Sequence, residues 1–268
     1  YVKVCSHWYG EVPTVLTMDN HWSGSFKQNL ARLVSPFTLR KAFSNAFVPG
    51  EVQKRYALKL GFKDGEIRTG FYTADTDKFL DYYNKRITTE KDQRKLRFLY
   101  LGRYVQHKGI FDMWNAFREL RKSHPEVEMW CVGTGDQYDN RDETEGIRHF
   151  GFVQPSKLLP ILKQCDVYIL PSHFEPWGVS VQEMALSGMP LILSNAIGSK
   201  EAFLKEGVNG YEYQAGNEEQ LLKAMENCAN KSKEELITMG KESHSLGIAN
   251  SPKLWAKTLI SILDVGSE

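Results

Sequence analysis

The 268-residue chain lacks any apolar run approaching the roughly 18 residues that span a bilayer, so nothing in it reads as an integral membrane segment. It also lacks a surplus of charge. Its 34 Lys and Arg against 33 Asp and Glu leave a formal +1, without the strongly basic footprint that nucleic-acid partners require. Cysteine is sparse and unpaired in pattern: Cys5, Cys131, Cys165 and Cys228 form no Cys-x-x-Cys, which argues against structural zinc. Cys131 and Cys165 sit inside apolar runs, where a thiol behaves as a small buried hydrophobe, and a reduced, cytoplasmic setting is expected. No internal repeat or low-complexity tract appears, which sets solenoid architectures aside. The chain opens on Tyr1 with no initiating Met, no secretory signal and no Gly-rich opening strand. An N-terminal part is therefore expected to be missing from this numbering.

What is present is a regular alternation. Short apolar runs predict strands at 96–101, 127–132, 148–152, 167–170, 191–194 and 210–213. Amphipathic stretches between them predict helices at 110–122, 156–163, 179–187 and 218–230, with further helices at 233–245 and 253–263. Continuous buried strands separated by helices specify a parallel sheet covered on both faces, and the right-handed crossover rule makes it Rossmann-like. The front is less regular. It reads as a helix over 1–9 stopped by Gly10, strands at 15–18 and 46–48, and helices at 26–33 and 51–60, the latter closed by Gly61. Those strands are too few for a full Rossmann domain. The expected division is 1–90 as a partial front domain, 91–250 as the Rossmann-like domain and 251–268 as a final helix. The polar stretch 88–94 reads as the linker.

Two constellations carry chemistry. In the first, the apolar run ending at Leu170 is followed by a polar loop, and Gly178 opens a helix. Ligands of open parallel sheets bind outside the carboxyl ends of strands, where helix N-termini attract phosphate. Glu175 lies in that loop and Glu183 on the helix, and ionised carboxylates grip sugar and ribose hydroxyls through paired hydrogen bonds. Two glutamates at this spacing are ordinarily solvated, but the Pro, Trp and Gly around these set them apart. In the second, Gly102-Arg103 and Lys108-Gly109 follow the 96–101 strand and open the next helix. A diphosphate needs two cations reaching one spot, and a helix N-terminus adds dipole and N–H donors. Gly133-Thr134-Gly135 is half of a dinucleotide fingerprint and reads better as a tight turn at the cleft rim. Asp75-Thr76-Asp77 matches an Asp-x-Asp metal site but follows no apolar strand, so no metal is expected there.

Together these segments resemble glycosyltransferase family four of the GT-B fold, the group 1 glycosyl transferases, from about Val12 to about Asp264. The most specific part is Glu-x7-Glu with its surroundings: Pro171-Ser172, Glu175-Pro176-Trp177-Gly178, Glu183-Met184-Ala185 and Gly188-x-Pro190. Gly102-Arg103, Lys108-Gly109, Gly133-x-Gly135, Gly151-Phe152-Val153 and Asn209-Gly210 follow the family's order and spacing. The resemblance implies an α/β fold of two Rossmann-like domains, here with the N-terminal one apparently truncated, and a last helix with Trp255 crossing back onto it. It implies that Arg103 and Lys108 bind the donor diphosphate, Glu183 the nucleotide ribose, and Glu175 the donor sugar. Gly178 and Val179 would line the donor site, backbone atoms of Val153 would meet the base, and Gly198 with Ser199 resembles a degenerate Gly-Gly loop. Asp19-Asn20-His21-Trp22 and Gly70-Phe71-Tyr72-Thr73-Ala74-Asp75 resemble two front-domain stretches of the family. Asp19, His21 and Trp177 are thus candidate sugar or acceptor contacts, and a structural role for His21 stays open.

The expected activity is retaining transfer of a sugar from a nucleotide-diphosphate sugar to a carbohydrate or lipid-linked acceptor, as in polysaccharide or glycolipid synthesis, without a metal or separate cofactor. A sugar-nucleotide epimerase and a non-catalytic nucleotide-sugar-binding protein are the alternatives. Around residues 22–47, Lys27, Arg32, Arg40 and Lys41 mingle with Trp22, Phe26, Phe37 and Phe43. That mixture suits peripheral contact with an anionic membrane, although Pro36 breaks the segment. Core burial of those aromatics is the competing reading and the one expected here.

Overall fold

The computed structural model describes residues 1–88 and 96–264, which fall into two units: Tyr1–Ala74 with the segment from Asn250 onward, and Asp75–Ala249. In the first, α1 (Val2–Trp8) precedes β1 (Val15–Thr17), α2 (Phe26–Val34), β2 (Asn45–Val48), α3 (Glu51–Lys59) and β3 (Ile67–Thr69). The strands form a parallel sheet in the order β1-β2-β3. Central β2 is buried along its length, and Ala46 and Val48 join Phe43, Tyr56, Ala57, Phe62 and Ile67 in the core. The last described helix, Pro252–Asp264, belongs to this unit: the Trp255 indole N–H donates to the Phe71 carbonyl at 2.9 Å, and its ring lies against Phe47.

The second unit opens with α4 (Thr76–Ile87) and continues through β4 (Arg97–Leu101), α5 (Ile110–Arg121), β5 (Glu128–Val132), β6 (Ile147–His149) and α6 (Leu159–Leu162). It is completed by β7 (Val167–Leu170), α7 (Val179–Leu186), β8 (Leu191–Ser194), α8 (Lys200–Phe203), β9 (Gly210–Tyr213), α9 (Glu218–Ala229) and α10 (Lys233–Ile248). Among the described residues its six strands run parallel in the order β6-β5-β4-β7-β8-β9. This is the Rossmann order, in which the chain winds outward one way from β4 and the other way from β7. The strands are short, apolar and buried because both faces of a parallel sheet are covered; Phe98, Leu99, Tyr100, Ile169 and Ile192 have no exposed surface.

Helix α4 is not among the elements expected from the sequence. Asp75 is its N-cap, its carboxylate accepting from the Lys78 amide at 3.1 Å, and Phe79, Tyr82 and Arg86 form its buried face. Arg86 holds α4 to the rest of its unit. Its guanidinium donates to the carbonyls of Leu162, Cys165, Asp166, Ser187 and Gly188 at 2.7–3.3 Å. Burial lowers its pKa, with Asp166 opposing. The chain from Asp75 to Thr88, placed before the boundary by the sequence, therefore packs with the larger unit. Residues 89–94 of the expected linker lie outside the described residues.

Candidate functional site

β4 and β7 are neighbours whose onward connections lead in opposite directions, so their carboxyl ends leave a crevice between two loops. The loop after β4 carries Arg103 and Lys108, and the loop after β7 carries Glu175. The two interlock. The His173 amide donates to the His107 carbonyl at 2.8 Å. Gly109 stands at φ 65° against Pro171, where a Cβ would lie 2.0 Å from the carbonyl oxygen. This close approach brings the Lys108 ammonium onto the Glu175 carboxylate, both side chains being about six-sevenths buried, at 13% and 15% exposure. A third loop, after β8, supports the arrangement: the Glu175 amide donates to the Ala196 carbonyl and the Gly198 amide to the Glu175 carbonyl at 3.0 Å.

Gly178 is the N-cap of α7 at φ 89°, and no side chain caps this helix. Its first amides, with Val179 at the first helical position, therefore face the crevice end of the sheet without a side-chain acceptor. Glu183 lies on the second turn, half-buried. Burial raises its carboxyl pKa, Lys78 opposing and Asp75 adding, and among the described residues the carboxylate has no hydrogen-bond partner. Arg103 is exposed, and its guanidinium makes no hydrogen bond or ion pair among the described residues, while its carbonyl accepts from the Tyr100 hydroxyl at 2.7 Å. Tyr100 and Tyr168 link three of the ionic residues, Arg103, Glu175 and Glu183. Both hydroxyls are pushed strongly upward, first by burial; Tyr100 lies within electrostatic reach of Glu175 and Arg103, and Tyr168 of Glu175 and Glu183.

The glycines at the end of β5 serve the same crevice. A Cβ on Gly133 would lie 1.9 Å from the Gly102 carbonyl oxygen, and one on Gly135 2.5 Å from that of Tyr104. These positions admit the loop that presents Arg103. Val153 is half-buried beyond β6, and the Gly151 carbonyl accepts from the Gly133 amide at 2.8 Å, tying that segment to the same strand ends. Trp177, expected as a possible sugar or acceptor contact, is 3% exposed and packs edge-on to Phe203. The turn into α7 points this large ring into the core. Asp19 and His21 belong to the other unit, where the Asp19 carboxylate accepts from the Tyr72 hydroxyl at 3.2 Å and the His21 carbonyl from the Gln28 side chain at 2.8 Å. The sequence did not single out His173 or Asp112, which bond at 2.5 Å from the β7 loop to the first turn of α5. A histidine two residues before Glu175 was the only signal. Among the described residues no group of three or more His, Cys, Asp or Glu side chains is placed to hold a metal ion.

Comparison with known proteins places this arrangement in context. The family described as "Glycosyl transferases group 1" matches residues 82–244. Glycogen synthase of Mycobacterium tuberculosis is 34% identical over 113 residues, covering 40% of this chain and 27% of that enzyme. The N,N'-diacetylbacillosaminyl-diphospho-undecaprenol alpha-1,3-N-acetylgalactosaminyltransferase of Campylobacter jejuni is 26% identical over 194 residues, covering 66% of this chain and 50% of that enzyme. The chain thus matches half or less of the length of these relatives. The crystal structure of Anabaena HepE in complex with UDP is similar with a TM-score of 0.74 at 16% identity, covering 97% of this chain and 77% of that one. This last likeness is one of fold, and the fold class is the α/β GT-B class.

Proposed function

Because the chain belongs to the group 1 glycosyl transferases, we propose that it supplies the donor-binding part of an enzyme that transfers sugar from a nucleoside-diphosphate sugar. The observation that carries this reading is the meeting of Lys108 and Glu175 at the crevice between β4 and β7. A cation and a carboxylate at one strand end suit a ligand with a phosphate and a hydroxyl-bearing ring side by side. Lys108 and Arg103, with the uncapped start of α7, would hold the diphosphate and stabilise the charge growing on it as the anomeric C–O bond breaks. The acceptor oxygen forms the new bond to that carbon, and its proton leaves with the diphosphate. Glu175 orients the sugar, Glu183 accepts from the ribose hydroxyls, and backbone atoms at Val153 meet the base. The anomeric configuration is retained, without a metal or separate cofactor.

The donor and acceptor classes draw on the relatives. HepE was crystallised with UDP, and the Campylobacter enzyme's name describes a diphospho-undecaprenol substrate. Uridine diphosphate sugars are accordingly the first donors to test, and a carbohydrate or a lipid-linked sugar the acceptor. Among the described residues no helix is long and apolar enough to cross a membrane, and a cytoplasmic protein in peripheral contact with one fits such an acceptor. Lys108→Ala or Glu175→Ala in the full-length protein is expected to lower transfer about a hundredfold or more while unfolding stays cooperative. Turnover at the wild-type rate in either variant would overturn the assignment.

A further inference from the structure

We infer that the exposed face of α2 docks onto an anionic phospholipid surface, with the groove between α2 and α3 taking a lipid phosphate. This gives the proposed membrane contact its surface and its lipid chemistry. It is tested without sugar transfer, so its failure is distinct from failure of the donor reading.

The structure divides the aromatics of residues 22–47 into two groups. Phe43 is buried and Trp22 is half-buried against Tyr56, but Phe26 is 82% exposed and Phe37 73%. Leu30, at 51%, and Leu33, at 71%, lie between them. Phe26, Leu30 and Leu33 recur at i, i+4 and i+7, one stripe of the helix, and Phe37 follows in the turn after it. The stripe is not a frayed end. Ser25 caps α2, Gln28 bonds the His21 carbonyl, and the Ser35 hydroxyl donates to the Leu60 carbonyl at 2.6 Å from within the core. Three large apolar side chains held outward on an anchored helix, with Phe37 in the turn after it, mark an interaction site.

Charge selects the occupant. Residues 22–41 contain Lys27, Arg32, Arg40 and Lys41 and no acidic residue. Arg40 is occupied with Glu66, while Lys27 and Arg32 flank the stripe. Beside it, a groove of about 480 Å³ is lined by Arg32 from α2 and by Arg55, Leu58 and Lys59 from α3. Lys59 lies 5.1 Å above the Trp22 ring, which holds its ammonium at the groove. An apolar stripe bordered by cations matches the acyl boundary and the phosphates of an anionic leaflet. A second copy of this chain would instead bring like charges together across the stripe.

The test is flotation of the chain with phosphatidylcholine vesicles, with and without phosphatidylglycerol, over a range of salt. Binding is expected only with phosphatidylglycerol and weakens as salt rises. Phe26→Ser with Leu33→Ser abolishes it with little change in the thermal melt, because both residues are exposed; Phe37→Ser, outside the helix, is the second variant. Lys59→Gln lowers affinity about fivefold, the worth of one surface cation. Equal binding to both vesicle types, no binding to either, or full binding by the serine variants overturns the inference. So does a wild-type dimer that the serine variants dissolve, which would assign the face to a second copy.

Discussion

Replacing Glu183 with glutamine is expected to separate stability from donor binding, because burying the carboxylate is costly to the fold while its proposed partner is the donor ribose. The side chain sits on the second turn of α7, half-buried and without a hydrogen-bond partner among the described residues, and burial raises its pKa. Glutamine keeps the shape and removes the charge. A half-buried carboxylate is more costly to desolvate than the neutral amide that replaces it, and partial exposure keeps that difference to about 1 kcal/mol. For a unit of this size that raises the melting temperature by roughly 2–4 °C. The folded state binds the Glu183 proton more tightly than the unfolded state. The linked stability is therefore fully present below the ordinary value of 4.5 and is lost as pH rises through the raised one. The advantage of glutamine opens as pH climbs from there toward neutrality. Glutamine keeps an acceptor oxygen for the ribose but loses the charge assistance, a difference of about 1–1.5 kcal/mol, so the variant binds nucleoside diphosphate roughly five- to tenfold more weakly. Scanning calorimetry with and without nucleotide reads both effects. A variant that melts at or below wild type at neutral pH, or that keeps the full nucleotide-induced shift, would refute the reasoning.

Arg86→Met is expected to cost about 3 kcal/mol or more, since the five carbonyls that accept from the guanidinium lose their donors; urea unfolding measures it. Arg86→Lys recovers little, because one ammonium cannot span that set of acceptors. Gly133→Ala would press a Cβ to within 1.9 Å of the Gly102 carbonyl oxygen at φ 137°, destabilising the unit by about 2 kcal/mol or more and displacing the loop that carries Arg103. Nucleotide affinity and melting temperature are expected to fall together in that variant. Asp75→Ala removes the cap of α4 and is expected to cost about 1 kcal/mol, without the loss of binding that a metal ligand would show.

The sheet of the larger unit was legible because its strands are uninterrupted apolar runs. Val167–Leu170, Leu191–Ser194 and Gly210–Tyr213 were read with the bounds observed, and the candidate ionic residues stand out in the sequence because their segments follow strands and open helices. β6 is shorter than expected, ending at His149, and the amphipathic segment 156–163 forms the end of a 3-10 turn followed by the short α6. Helix α4 was missed because its buried face is Phe79, Tyr82 and an arginine, a pattern in which neither apolar periodicity nor charge announces the side that packs. β3 and α8 are too short to carry a period. Burial of a particular aromatic was not legible either: Trp177 lies in the core and Phe26 in solvent, and composition alone does not say which surface a helix or turn presents.

Calorimetric titration of uridine and other nucleoside diphosphates into the chain, and into its Arg103→Ala, Lys108→Ala double variant, tests the central claim most directly. A single site is predicted, with a Kd at least about fiftyfold higher in the double variant, since two charge-assisted contacts to phosphate are removed. An unchanged Kd in the double variant, or equal affinity for the nucleoside without its phosphates, would contradict the placement of the donor diphosphate between β4 and β7.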